Sequence, residues 1–273
     1  MRKNRENTSW LSKSYIALVM IFLYAPIVVL MVYSFNSSKS RSSWTGFSLR
    51  WYEELIHNDA IISALTVTLF VAIVSAVLST LIGTLAAIGI QSMKNRSQTA
   101  IMNFTYLPLV SPEIVMGVSL MLLFALLHIE AGLLTLILAH VTFNLPYVIL
   151  SVMPKLRQMD KYLFDAAMDL GCTPAMAFRK VMLPEIMPGI ISGFLMAFTF
   201  SLDDFNVSYF VSGDKFQTLP ILIYSMTRRR VSPEINALST IIFVVVLLVL
   251  IIVNVQDARK EKQLKKKEAR YNE

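Results

Sequence analysis

Four stretches of this chain hold no Asp, Glu, Lys or Arg: Ser14 to Ser38, Ala60 to Met93, Ala131 to Met153 and Ile235 to Gln256. A helix rises about 1.5 Å per residue, so roughly 20 residues cross a hydrocarbon core about 30 Å thick. Each stretch is long enough. A helix packed on a water-soluble core keeps one polar face, and these stretches leave no charge to build one. Two more stretches are apolar apart from isolated acids: Ser97 to Leu127 holds only Glu113, and Ile186 to Val211 holds only Asp203 and Asp204. The pattern predicts an all-α, polytopic membrane protein with six transmembrane helices in one domain. The spans fall at roughly 14–35, 61–91, 99–127, 132–153, 188–211 and 236–256.

Charge supports this reading and orients it. Only 16% of the 273 residues are charged, against about 25% in ordinary soluble domains. The net charge of +7 would suit nucleic acid, but Lys and Arg lie between the apolar runs rather than along one face. If the connections alternate sides, one side holds the N-terminus, 92–98, 154–187 and the tail from Asp257, with 18 Lys and Arg; the other holds 7. The basic-rich side is expected to be cytoplasmic, which places both termini there. Arg228, Arg229 and Arg230 fall on the outer side, where an acidic partner surface would suit them. The run Tyr15 to Phe35 follows Arg2, Lys3, Arg5 and Lys13 as a signal peptide would. It is longer than an h-region of about 7–15 residues and no A-x-A site follows, so an uncleaved span is expected. The basic tail from Arg259 to Arg270 suits lipid headgroups. Cys172 is the only cysteine, which excludes an internal disulfide and a cysteine metal cluster.

The connection 154–187 is long and patterned. Tyr162, Leu163, Ala166, Ala167 and Leu170 recur at helical spacing, Gly171 suits a left-handed helix end, and Thr173-Pro174 reads as an N-cap with proline at the first helical position. The expected structure is a helix, a glycine turn and a second short helix, Ala175 to Met182, ending before Pro184. Its apolar Met176, Phe178 and Met182 would fit a groove on another protein.

Within this loop Asp165-Ala166-Ala167, three residues, Gly171, nine residues and Val181-Met182-Leu183-Pro184 resemble the EAA signature of bacterial ABC-transporter importer permeases. Asp165 stands for the usual glutamate and Val181 for isoleucine. The resemblance implies a type I ABC importer permease fold. It also implies an ATPase-coupling role for Asp165, Ala166, Ala167, Gly171, Leu183 and Pro184, seated in a cleft of a separate ATP-binding subunit. The chain has no G-x-x-x-x-G-K-[ST] phosphate loop, so ATP and its Mg²⁺ are expected on that partner and no cofactor on this chain.

Ionisable groups inside a span cost about 2.5–3.5 kcal/mol each on insertion scales and usually face a wet path. Glu113, Asp203 and Asp204 all fall roughly 20 Å from the inner end of their spans at 1.5 Å per residue. Pro108 and Pro112 interrupt the helix just before Glu113. Three carboxylates at one level would favour a cation, particularly a polycation. Alternatively, an acid here pairs with His140 or caps a broken helix. Ser201, Asn144 and Tyr209 are weaker candidates. Trp44, in the first outer loop, could hold an ammonium by cation–π attraction or simply belong to the interfacial aromatic belt.

The segments around these acids, Ser201 to Phe205, Phe210 to Gly213, Leu219-Pro220, Ile223 to Met226 and Val231 to Leu238, are similar to the spermidine/putrescine branch of the permeases. Trp51-Tyr52 and Ser111 to Met116 extend the likeness. It implies a substrate path through Asp203, Asp204, Glu113, Ser201 and Trp44. The implied partners are a second permease chain (PotB-like), two copies of an ATPase (PotA-like) and an extracytoplasmic binding protein (PotD-like), in the bacterial cytoplasmic membrane. Permeases for other organic cations or ferric iron share parts of the pattern. An ion-coupled secondary transporter would use the acids differently, but would not need the docking hairpin. No nucleophile–base pair, metal cluster or H-E-x-x-H points to an enzyme.

Overall fold

A computed structural model describes residues 10–39, 43–160, 162–229, 233–245, 247–248 and 251, in two compact units: 1–59 with 226–273, and 60–225. The helices, in chain order, are α1 (Trp10–Ser34), α2 (Arg50–Ile56), α3 (Asp59–Gln91), α4 (Asn95–Val110), α5 (Glu113–Leu126), α6 (Leu133–Gln158), α7 (Tyr162–Asp169), α8 (Pro174–Ala177), α9 (Leu183–Asp203), α10 (Asn206–Val211), α11 (Leu219–Arg229) and α12 (Pro233–Val245). The described residues contain no strand, only one isolated bridge between Asn36 and Phe47.

In the first unit, α1 leads into a hairpin held by specific contacts. The Trp51 indole N–H donates to the Asn36 carbonyl at 2.6 Å, Ser34 and Tyr52 share a hydrogen bond of 2.7 Å, and the Phe35 and Phe47 rings stack 5.3 Å apart. The Asn58 amide donates to Glu234 at the start of α12 (3.2 Å).

In the second unit, α3, α6 and α9 pack through small residues. α3 buries Ala64, Thr68, Ala72, Ser75, Ala76, Ser79, Thr80, Gly83 and Ala87 on one face. This is the composition that lets helices approach closely inside lipid, where apolar surface alone gives no drive to associate. Val148 of α6 is the key piece. A Cβ on Gly83 of α3 would fall 2.8 Å from its side chain, and one on Gly193 of α9 would fall 3.1 Å from its Cα. Two apolar clusters result. One gathers Ala76, Ala87, Val148, Val152, Met153, Ile186 and Ala197; the other gathers Val71, Leu136, Ala139, Phe143, Val207 and Val211.

Three expectations need correction. The third span does break before Glu113, but at Pro112 alone; Pro108 lies inside α4 and does not interrupt it. Pro112 forces Ser111 out of the helical region (φ −72°, ψ 138°), as proline does to its predecessor, and α4 and α5 meet at a bend of 105°. The fifth span is not continuous to 211 either, because α9 stops at Asp203 and the chain turns before α10. Nor does the helix in the long loop end before Pro184. Phe178–Met182 forms a π turn in which the Leu183 N–H reaches back five residues to the Phe178 carbonyl, and the helix continues from Pro174 to Asp203. The wider turn relieves the clash proline makes with the carbonyl four residues before it.

Among the described residues, four helices are long and apolar enough to cross a membrane, and the bent pair, taken as one span, makes five. α12 is shorter, and much of the stretch expected to form the sixth span, with the basic tail behind it, lies outside the described residues, as do Arg230 and the first nine residues.

The packing generates a prediction. Gly193→Leu forces side-chain atoms into Val148 and should cost about 1–3 kcal/mol, read as a lower melting temperature of the detergent-solubilised protein. Gly89→Ala, with nothing within 4 Å of its new methyl, should not lower it.

Candidate functional site: an acidic pocket at two helix breaks

The two breaks in the second unit open on one cavity of about 420 Å³, lined by the carboxylates Glu113, Asp203 and Asp204, the rings Phe143, Tyr147, Phe200 and Phe205, and Pro108, Ser111, Pro112 and Asn206 among others. Proline chemistry puts Glu113 there. Pro112 ends α4 and serves as the N-cap of α5, so Glu113 is the first residue of α5, where a carboxylate meets the positive end of the helix dipole. The Asn206 amide donates to it at 2.6 Å. Gly117 of α5 then lets α10 approach, since a Cβ there would lie 2.8 Å from Phe210 and 3.1 Å from the Asn206 carbonyl.

The neighbouring aspartates sit in different surroundings. Asp203 is the last residue of α9 and is exposed to the cavity. A carboxylate at a helix C-terminus faces the negative end of the dipole, so it gains from a cation more than from its own helix. Asp204 turns the other way. Its Oδ1 accepts the Val207 N–H (3.2 Å), and its Oδ2 accepts both the Ser208 N–H and the Ser208 hydroxyl (2.7 Å each). It caps α10, an arrangement worth about 0.5–2 kcal/mol. Its side chain is only 7% exposed, with His140 Nε2 at 3.6 Å. Ser208 Oγ also meets His140 Nε2 at 3.0 Å. The hydroxyl has one proton and gives it to Asp204, so His140 must donate to it, with a proton on Nε2. Of the sequence alternatives for an acid here, Asp204 takes the cap on a broken helix; His140 approaches it but hydrogen-bonds Ser208.

Beside the cavity lies a buried polar layer. Ser201 is 2% exposed; it accepts from the Asn144 amide at 2.8 Å and meets Ser75 Oγ at 3.1 Å. It ties α3, α6 and α9 together and does not line the cavity. Tyr209 lies in an aromatic group with Phe205 (5.5 Å) and Tyr224 (6.4 Å). Trp44 belongs to the first unit, half exposed and edge-on to Tyr33. Reading the chain missed Asn206, Tyr147, Phe143, Phe200 and Phe205. The spacing from Asp204 to Val207 and Ser208 is an N-cap signal that could have located the second break; nothing local marks the rings of α6 as facing this cavity.

The loop after α6 forms the expected helix and glycine turn, but the second arm runs on into α9. Asp165, Ala166 and Ala167 lie in α7. Gly171 has φ +87°, and α7 closes with the Gly171 N–H on the Met168 carbonyl and the Cys172 N–H on the Ala167 carbonyl, a Schellman end that needs a left-handed residue. The Thr173 hydroxyl accepts the Met176 N–H at 3.3 Å. Leu183 and Pro184 form the first turn of α9. Asp165 and Arg157 line a cleft of about 570 Å³ with Gln91, Gln98 and Met182. Leu170 (87%) and Met176 (42%) are left exposed at the turn.

Comparison with known proteins agrees with this architecture. Residues 79–265 match the family described as "Binding-protein-dependent transport system inner membrane component". The spermidine/putrescine transport system permease protein PotC of Haemophilus influenzae is 40% identical over 89% of this chain and 95% of its own length. The putrescine transport system permease protein PotI of Escherichia coli is 45% identical over 89% of each. Among solved structures, a bacterial ABC transporter involved in the import of the acidic polysaccharide alginate superposes with a TM-score of 0.68 at 15% identity, covering 90% of this chain and 93% of that one. The fold is therefore that of ABC importer permeases, and the chain belongs to the family of binding-protein-dependent transport system inner membrane components.

Proposed function

We propose that this chain is the permease subunit of an ATP-driven importer that passes polyamines, putrescine or spermidine, into the cytoplasm. The observation that carries the reading is the cavity at the two helix breaks. Carboxylates stand there beside four aromatic rings, with Asp203 at a helix end whose dipole also favours positive charge. A polyamine needs both features. Its ammonium groups need carboxylates and ring faces, and its methylene segments need apolar walls that offer no competing hydrogen bonds. The names of the PotC and PotI relatives point to the same cargo. Glu113 and Asp203 receive the ammonium groups, and Trp44 offers a ring to cargo arriving at the outer face.

The transport work comes from elsewhere. The hairpin of α7 and α8, with Leu170 and Met176 exposed, docks on a PotA-like ATP-binding subunit, of which the assembly holds two copies carrying ATP and Mg²⁺. A PotB-like second permease completes the pore, and a PotD-like binding protein delivers cargo outside. The hairpin and both termini face the cytoplasm, the side that the distribution of Lys and Arg favours.

Two experiments check this. Glu113→Gln with Asp203→Asn should lower radiolabelled spermidine and putrescine uptake at least tenfold in proteoliposomes holding the whole transporter, with assembly intact; uptake within twofold of the unmodified protein would sink the acidic path. Gly171→Pro removes both the left-handed residue and the N–H that bonds Met168. It should abolish ATP-driven uptake and weaken co-purification of the ATPase while the chain still inserts; full uptake would rule out the docking role.

A further inference from the structure

We propose that the adjacent aspartates do different work: Asp203, with Glu113, meets the cargo, while Asp204 is a positioning residue that never touches it. The inference rests on the cavity being the polyamine path. It comes from how the oxygens of each carboxylate are engaged.

Both oxygens of Asp204 are occupied, by the N–H groups of Val207 and Ser208 and the Ser208 hydroxyl, and the buried His140 ring stands on its other side. For a passing ammonium to take this carboxylate, it would have to strip donors from the first turn of α10. Val207 and Ser208 are buried, so those backbone groups would then be unsatisfied inside the protein, which is costly. The consequences would reach Glu113, because Asn206, the first residue of α10, supplies its hydrogen bond at 2.6 Å. They would also reach the contact between α10 and Gly117, which fixes α5 against α10.

Asp203 has none of these ties. It is exposed to the cavity, and no hydrogen bond from another side chain among the described residues engages it. Glu113 is likewise exposed and has one such partner, Asn206. Two carboxylates are thus open to cargo, and the third keeps the break in the fifth span shaped so that the first two stay in place. His140 completes the device. With its proton on Nε2 it donates to Ser208, whose own proton then points at Asp204.

A neutral isostere separates the two roles. In the Asp204→Asn variant the amide oxygen could still accept the two Ser208 donors at 2.7 Å, giving up only the longer Val207 bond, and asparagine caps a helix about as well as aspartate. The readout is spermidine uptake per assembled transporter in proteoliposomes, with the spermidine-loaded binding protein at saturation. Asp204→Asn should keep at least about a third of the unmodified rate, whereas Asp204→Ala and Asp203→Asn should each fall below about a tenth. If Asp204→Asn falls as far as Asp203→Asn, the charge of Asp204 matters to the cargo and the inference is overturned. This comparison holds even if Asp204→Ala fails to assemble. If Asp203→Asn transports at the unmodified rate, the cavity is not the cargo path, and the functional reading fails whatever Asp204 does.

Discussion

Inside a bilayer, every backbone N–H and carbonyl must find a partner in the protein. This chain breaks two of its spans in the middle, so the rest of its architecture depends on how those breaks are satisfied. At Ser111-Pro112 the problem is reduced at source, because proline has no N–H and Ser111 donates back to Leu107. At Asp204-Phe205 a side chain closes the gap, through the two N–H groups at the start of α10. Each break leaves carboxylates next to helix ends, and the two lie close enough to share one cavity. An acidic site at this depth follows from the way the breaks are closed.

The same demand explains the polar layer. Ser75, Asn144, Ser201, His140 and Ser208 are buried between two apolar clusters and bond one another across helices. In water such residues would be commonplace. In lipid they hold helices that have no hydrophobic reason to associate, and the small residues around Val148 let those helices come near enough for the bonds to form.

Much of this was legible in the chain. Stretches without charge located the helices, because nothing else tolerates a membrane core so well. Glycine with a left-handed φ and threonine before proline defined the hairpin, because those residue types satisfy local backbone rules that need no tertiary context. The acids were found for the opposite reason, since they violate the apolar pattern. What was misread depended on long-range geometry. Pro112 could be seen to end a helix, but not to bend the path by 105°. Pro184 looked like a stop, because the π turn that absorbs it has no signature in residue types. Ser201 and Asp203 are two residues apart, yet one is sealed and the other open, and only the partners on α3 and α6 decide that.

The π turn has a mechanical consequence. Because it lets the helix run on through Pro184, Pro174 at the tip of the hairpin and Asp203 at the cavity are two ends of one continuous helix of 30 residues, up to about 45 Å long at 1.5 Å per residue. A rod transmits tilt with leverage. Pivoted at one end, about 5° of rotation displaces the other by about 4 Å over that length, more than the length of a hydrogen bond.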